Sequence, residues 1–199
     1  MNREALKKAV EKELTRSRWE HTLRVMETAA ALSKQWGADP EKAELAALLH
    51  DFCKFWPDDR MRSLIVKYRL PEDLLEHNKE LWHAPVGAEV VREELGVTNE
   101  EVLNAIRYHT SGRPHMSLLE KVIFVADAIE PGRRYPGVEE LRSLARQDLD
   151  RAVLQSLDNT ICFLIERGQK VYPLTLFARN YMVEAVKERT QPKTKEESL

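Results

Sequence analysis

The chain has 199 residues, enough for one domain with a substantial core. Its 31 basic and 33 acidic residues leave a formal charge of -2 and form no basic stripe, which excludes long nucleic acid as the natural ligand. Two cysteines, Cys53 and Cys162, make no disulfide framework, the opening segment is too charged for a signal peptide, and no apolar run can span a bilayer, so a soluble, reduced, cytoplasmic protein is expected.

Helical patterns follow one another with hardly any strand signal. In "WEHTLRVMETAAALSKQWG" the apolar residues Trp19, Leu23, Met26 and Ala30 recur at helical spacing, and Gly37 reads as a stop. Asp39 is a cap and Pro40 a first helical residue for "EKAELAALLHD". Asp58 to Leu81 predicts two small helices broken at Pro71, and "PVGAEVVREELG" a helix opened by Pro85 and closed by Gly96. Thr98 with Glu101, and Ser117 with Glu120, have capping-box spacing before "EVLNAIRYHT" and "LLEKVIFVADAIE".

The loop "EPGRRYPGV" then separates these helices from a C-terminal half. There Val153, Leu154, Leu157, Ile161, Leu164 and Ile165 make one apolar stripe, and after "QKVYP" a last helix is predicted from Leu174 to Arg189. The polar stretch 190–199 reads as a disordered tail. The expected class is all-α, with residues 1–189 forming a single compact domain.

Some polar residues break this pattern. Asp127 lies in a helix that is apolar on every side, and His50 and Asp51 end the apolar run "ELAALLHD". A bare buried carboxylate costs several kcal/mol or titrates to neutral, so each needs a cation or strong donors. In chain order His21, His50, Asp51, His83, His109 and Asp127 offer nitrogen and oxygen ligands from five helical segments, with no thiolate pair. That set favours a catalytic metal over a closed structural zinc. It also exceeds what one tetrahedral ion takes, and a carboxylate can bridge two ions. The competing expectation is a core in which Lys54 and Lys121 pair with the buried acids. His77 and His115 read as ordinary capped or solvated histidines, and Cys53 as a packed thiol.

The order H…HD…D, carried by His21, His50, Asp51 and Asp127, resembles the HD-domain metal-dependent phosphohydrolases. Across residues 15 to 180, "RWEHTLRV", "LLHDFCK", "WHAPVGA", "AIRYHTSGR", "FVADAIEPGRRYPGV" and "GQKVYPLT" resemble the YqeK family of symmetrical bis(5'-nucleosyl)-tetraphosphatases.

The resemblance implies a helical HD-domain fold that binds one or two iron ions, with manganese or zinc as substitutes, and that hydrolyses diadenosine tetraphosphate to two ADP. In that chemistry a water acidified by the metal attacks phosphorus. Asp51, Lys54 and Asp127 become the catalytic candidates. Phosphate and nucleotide contacts fall to Arg18, Lys54, His83, His109, Thr110 and Arg133, with Arg134 beside it, and to Lys170, Tyr172 and Thr175 of the "GQKVYPLT" loop. Thr110 stands where related two-metal phosphodiesterases carry a second histidine, and Cys53 where many of them carry glycine, which argues against that sister family. Three other functions stay open: a nucleotidase or phosphodiesterase acting on mononucleotides, a di-iron oxygenase built on similar ligands, and a non-catalytic nucleotide sensor. Homodimerisation is expected from exposed apolar residues on an all-α chain of this size.

Overall fold

Each amphipathic segment buries one face, and the computed structural model describes the outcome for residues 3–190. Among them it holds ten α-helices, two short 3-10 turns and no strand. The charged opening segment is itself a helix, α1 (Arg3–Glu13), held by Leu6 and Val10, which are four residues apart on one face. Helix α2 (Arg16–Trp36) follows, capped by the Thr15 hydroxyl on the Arg18 amide and closed by Gly37 at φ 81. Its buried face is not the stripe expected from sequence. Leu23 is 37 % exposed, and the core side carries His21, Thr22, Val25, Met26, Ala29, Leu32 and Ser33. The helix is rotated so that an imidazole points inward.

Helix α3 (Pro40–Leu49) starts as expected, with Asp39 accepting from the Glu41 and Lys42 amides. It stops at Leu49, and the chain runs on in turns from His50. Helix α4 (Asp58–Lys67) and 3-10 turns at Glu72–Glu76 and Lys79–Leu81 replace the two helices expected there. Helix α5 (His83–Leu95) begins two residues before Pro85, which correctly leaves Pro85 inside the first turn. Helix α6 (Glu100–Tyr108) is capped by Asn99 Oδ1 on the Val102 amide, not by the Thr98–Glu101 box. Helix α7 (Leu118–Ile129) does open on a full capping box of Ser117 and Glu120.

The segment after the Pro/Gly/Arg loop contains α8 (Val138–Gln147), which the sequence reading passed over, before α9 (Leu149–Glu166) and α10 (Pro173–Thr190). The α9 stripe is buried only in its first half. Val153 and Leu157 are fully buried, whereas Ile165 is 63 % exposed. The expected tail lies outside the described residues, apart from Thr190 at the end of α10.

Helix α7 packs against α2, α3, α6, α8 and α9, which explains why it is apolar on nearly every side. Each Val, Leu or Ile it buries contributes about 1.5–3 kcal/mol. Those contacts hold its C-terminal turn, and with it Asp127, against the ends of α3 and α6.

Candidate metal centre

His50 and His109 are placed by the same local device. Each is the C-cap of its helix, and its Nδ1–H donates to the carbonyl three residues back, Ala47 at 2.6 Å and Ile106 at 2.8 Å. The bond satisfies a helix-end carbonyl, fixes the tautomer and turns Nε2 with its lone pair inward. His21 reaches the same point from the second turn of α2: its Nδ1–H donates to Glu130 Oε1 at 3.0 Å. His83 arrives at the first turn of α5.

These four imidazoles surround Asp51, whose side chain is fully buried. Its Oδ2 is 2.8 Å from His50 Nε2 and 3.8 Å from His21 Nε2, and its Oδ1 is 3.1 Å from His83 Nε2 and 3.9 Å from His109 Nε2. Asp127 Oδ1 lies 3.0 Å from His21 Nε2. The donor atoms form two groups, His21–His50–Asp127 and His50–Asp51–His109, with all members of each within 4.8 Å of one another. His83 Nε2 and His109 Nε2 are 3.1 Å apart. Asp51 thus presents one oxygen to each side of the cluster.

The charges agree with a cation site. Burial works against ionisation of Asp51, but His50 and His83 hold its carboxyl well below the usual carboxylate range. Burial likewise opposes ionisation of Asp127, and His21 and Arg133 outweigh it. Burial lowers the pKa of His83 and His109, keeping both neutral as ligands must be. For His50 burial pushes down, and the adjacent Asp51 more than reverses it.

His21 Nε2, His50 Nε2 and Asp51 Oδ1 are all buried without a hydrogen-bond partner. Each such orphaned atom would cost about 1–3 kcal/mol, and coordination of a divalent ion removes that cost. The all-nitrogen-and-oxygen donor set therefore fits a divalent metal.

A further shell stiffens the cluster. Glu130, 2 % exposed, accepts from His21, from Arg24 Nε at 2.5 Å and from the Gly132 amide at 2.5 Å. Burial raises its pKa, but the Arg24, His21 and Gly132 bonds bring it down to about 2. A side chain on Gly132 would run into the Arg24 guanidinium. Arg142 ties the loop down through the carbonyls of Ile129, Glu130 and Arg133. Glu130, Arg24 and Arg142 were missed in the sequence. The available signals were weak: Glu130 follows Asp127 by three residues, and Arg24 follows His21 by three.

The candidate cations distribute unequally. Arg18 pairs with Asp51 Oδ2, and Arg133 donates to Asp127 Oδ1 at 2.5 Å and to its carbonyl at 2.8 Å. Lys54 is not an extension of α3 toward the cluster, since the helix has already ended; its Nζ pairs with Glu80 at 2.5 Å. Lys121 pairs with Asp150. Neither lysine therefore neutralises Asp51 or Asp127, contrary to the competing expectation. Asp127 is also less enclosed than its helix suggested, with 18 % of its side chain exposed to the cavity beside it.

Two cavities open beside the cluster. The larger, about 680 Å³, is lined by Lys54, His109, Thr110, Asp127, Arg133, Lys170, Tyr172 and Thr175. It thus gathers seven of the nine nucleotide-contact candidates, all but Arg18 and His83, and adds Ser156, Asn159 and Thr160 from α9. Tyr172 is buried, its pKa raised to about 12 by burial and by Asp73, and its ring packs edge-on against His77 at 5.1 Å. Arg18 lies instead in the smaller cavity, about 450 Å³, with His21 and Arg134. His83 sits in the buried wall of the cluster. His77 bonds to the Asp73 carbonyl, exposed His115 stacks on Tyr181 at 4.3 Å, and Cys53 is fully buried, its thiol pushed up by burial, so these three stay outside the donor set.

The HD-domain pattern matches residues 18–132, which span every donor from His21 to Asp127. The chain therefore belongs to the HD-domain family. It is 52 % identical over 183 residues to the symmetrical bis(5'-nucleosyl)-tetraphosphatase of Bacillus subtilis, covering 92 % of this chain and 98 % of that protein. It is 51 % identical, with the same coverage, to the protein of that name from Halalkalibacterium halodurans. Within the HD domains it thus belongs to the YqeK family of symmetrical bis(5'-nucleosyl)-tetraphosphatases. A crystal structure from Clostridium acetobutylicum, described as a predicted HD superfamily hydrolase involved in NAD metabolism, superposes with a TM-score of 0.89 at 39 % identity, covering 93 % of this chain and 98 % of that one. No described helix is long and apolar enough to cross a membrane.

Proposed function

We propose that the chain is a metal-dependent hydrolase that cleaves diadenosine tetraphosphate at its central bond, releasing two ADP. The observation that carries it is Asp51, fully buried, with one oxygen toward His21 and His50 and the other toward His83 and His109, in a cluster whose His21 lines one cavity and whose His109 and Asp127 line another. Iron, or manganese or zinc in its place, held by His21, His50, Asp51, His83, His109 and Asp127, would polarise phosphate oxygens and supply an acidified water as nucleophile.

The chain's own residues do the rest. Asp51 and Asp127 hold negative charge at the cluster, and Glu130 keeps His21 in the ligating tautomer. Arg18 and Arg133, which rest on the two aspartates, are positioned to turn to the phosphates and offset the charge that develops on the leaving diphosphate. Lys54 joins them from the wall of the larger cavity, where Thr110, Lys170, Tyr172 and Thr175 receive one nucleotide. His83 and His109 border the same phosphates. The catalytic unit runs over residues 1–189, because α9, α10 and the loop between them supply about half of that cavity's lining. The exposed Phe163, Ile165, Leu176 and Phe177 support a homodimer, and the reduced cysteines a cytoplasmic setting.

Product analysis tests the assignment: iron-loaded protein without oxygen should convert diadenosine tetraphosphate to ADP alone. AMP plus ATP would refute symmetric cleavage. A requirement for dioxygen would point to an oxygenase, and substrate recovered unchanged to a sensor.

A further inference from the structure

The larger cavity accounts for one end of a dinucleotide, and the smaller cavity adjoins it on the His21 side of the donor cluster. The two share Arg133 and Tyr135, while His21 lines the smaller and His109 and Asp127 line the larger. The turn after α3 divides between them: Lys54 faces the larger cavity and Phe55 the smaller. Cavities of about 300–1,000 Å³ each enclose one ligand of drug size. At about 450 and 680 Å³, each has the volume for one nucleotide.

The chemistry of the smaller cavity suits a nucleoside diphosphate. Arg18, Arg24, Arg133 and Arg134 line it, and the one carboxylate among its lining residues, Glu130, is already committed to Arg24, His21 and the Gly132 amide. Arg134 donates to the carbonyls of Pro131 and Arg133, neutral acceptors that leave its charge uncompensated. Phe55 is 50 % exposed at the same cavity, which leaves a face of its ring open to stacking. Thr15 and Ser17 add hydroxyls at the start of α2.

We propose that the smaller cavity is a second nucleotide subsite, in which Phe55 stacks on the base and Arg134 pairs with the phosphate of the second ADP half of the substrate. The proposal rests on the diadenosine tetraphosphate assignment. Cutting that molecule at its central bond leaves two equal arms at the donor cluster, and each cavity includes a donor residue and so has room for one arm. Phe55 is then a specificity determinant for a substrate with a base at both ends.

The test is ADP stoichiometry by equilibrium dialysis on the full-length, metal-loaded protein, with steady-state kinetics on diadenosine tetraphosphate alongside. The wild type should bind two ADP per chain. Phe55→Ala should bind one and raise KM about tenfold, the equivalent of one base–aromatic stack of about 1–3 kcal/mol. Arg134→Ala should weaken the same ADP. Both side chains are at the surface, so both variants should keep the wild-type melting temperature. One ADP per chain in the wild type, or two ADP and an unchanged KM in Phe55→Ala, would overturn the subsite. The substrate assignment fails separately, through products other than ADP, while the ADP count still reports on the cavity.

Discussion

Glu130 sets the state of His21 from 109 positions further along the chain. Its carboxylate is the acceptor that keeps the imidazole proton on Nδ1 and leaves Nε2 for a metal; such supporting partners typically contribute 10–100-fold in metal affinity. Glu130→Gln keeps the shape and removes the charge, so metal affinity should fall by that factor, measured by competition with a chelating dye. The same substitution has an acid-stability signature. The folded pKa of Glu130 is depressed to about 2 from 4.5, so its stabilisation is complete above the ordinary carboxylate range and disappears as pH falls toward 2. The amount at stake is on the order of 3 kcal/mol. Urea melts of chelator-treated protein between pH 6 and pH 3 should therefore be less steeply pH-dependent in Glu130→Gln; identical slopes would refute this role. None of this was legible in "AIEPG", where Glu130 reads as one more loop acid.

Among the elements, helix starts were legible where a cap had no close competitor. Asp39 and Ser117 cap as their sequence context suggests. At α6, Thr98 and Asn99 stand side by side, and the stronger capping residue prevails, shifting the start by one. Helix α8 is faint in the sequence because its few apolar residues, Val138, Leu141, Leu144 and Ala145, lie in a charged segment that opens on a left-handed glycine, Gly137. The α7 box offers a direct test. Ser117→Ala should cost about 1 kcal/mol of stability, read as a lower urea midpoint, while turnover at saturating metal stays unchanged because Asp127 lies at the far end of the helix. A loss of turnover would mean that α7 does not hold Asp127 independently of its first turn.

For the whole molecule, the donor cluster ties α2, the end of α3, α5, the end of α6 and α7 to one point. A ligand at 100 times its dissociation constant stabilises by about 2.7 kcal/mol. For a chain of this size each kcal/mol shifts the melting temperature by about 2–4 °C. Chelation should therefore lower the melting temperature by roughly 5–10 °C, and readdition of iron or manganese should restore it. A melting temperature indifferent to both would remove the metal from the account of stability.

By itself the sequence determined the all-α class and several helix starts, and singled out six candidate donor residues, because helical periodicity, capping preference and the chemistry of imidazole and carboxylate are properties of short segments. Only the tertiary structure decided that α2 turns His21 inward, that Asp51 divides its oxygens between two sets of imidazoles, and that Arg18 and Arg133, not Lys54 and Lys121, meet the two aspartates. It alone also placed Glu130 behind His21 and separated Lys54 from Phe55 into different cavities. The physical reason is common to all of these: each depends on how helices rotate and meet when α7 is buried among its neighbours, and contacts between residues tens to a hundred positions apart leave no periodic trace in the chain.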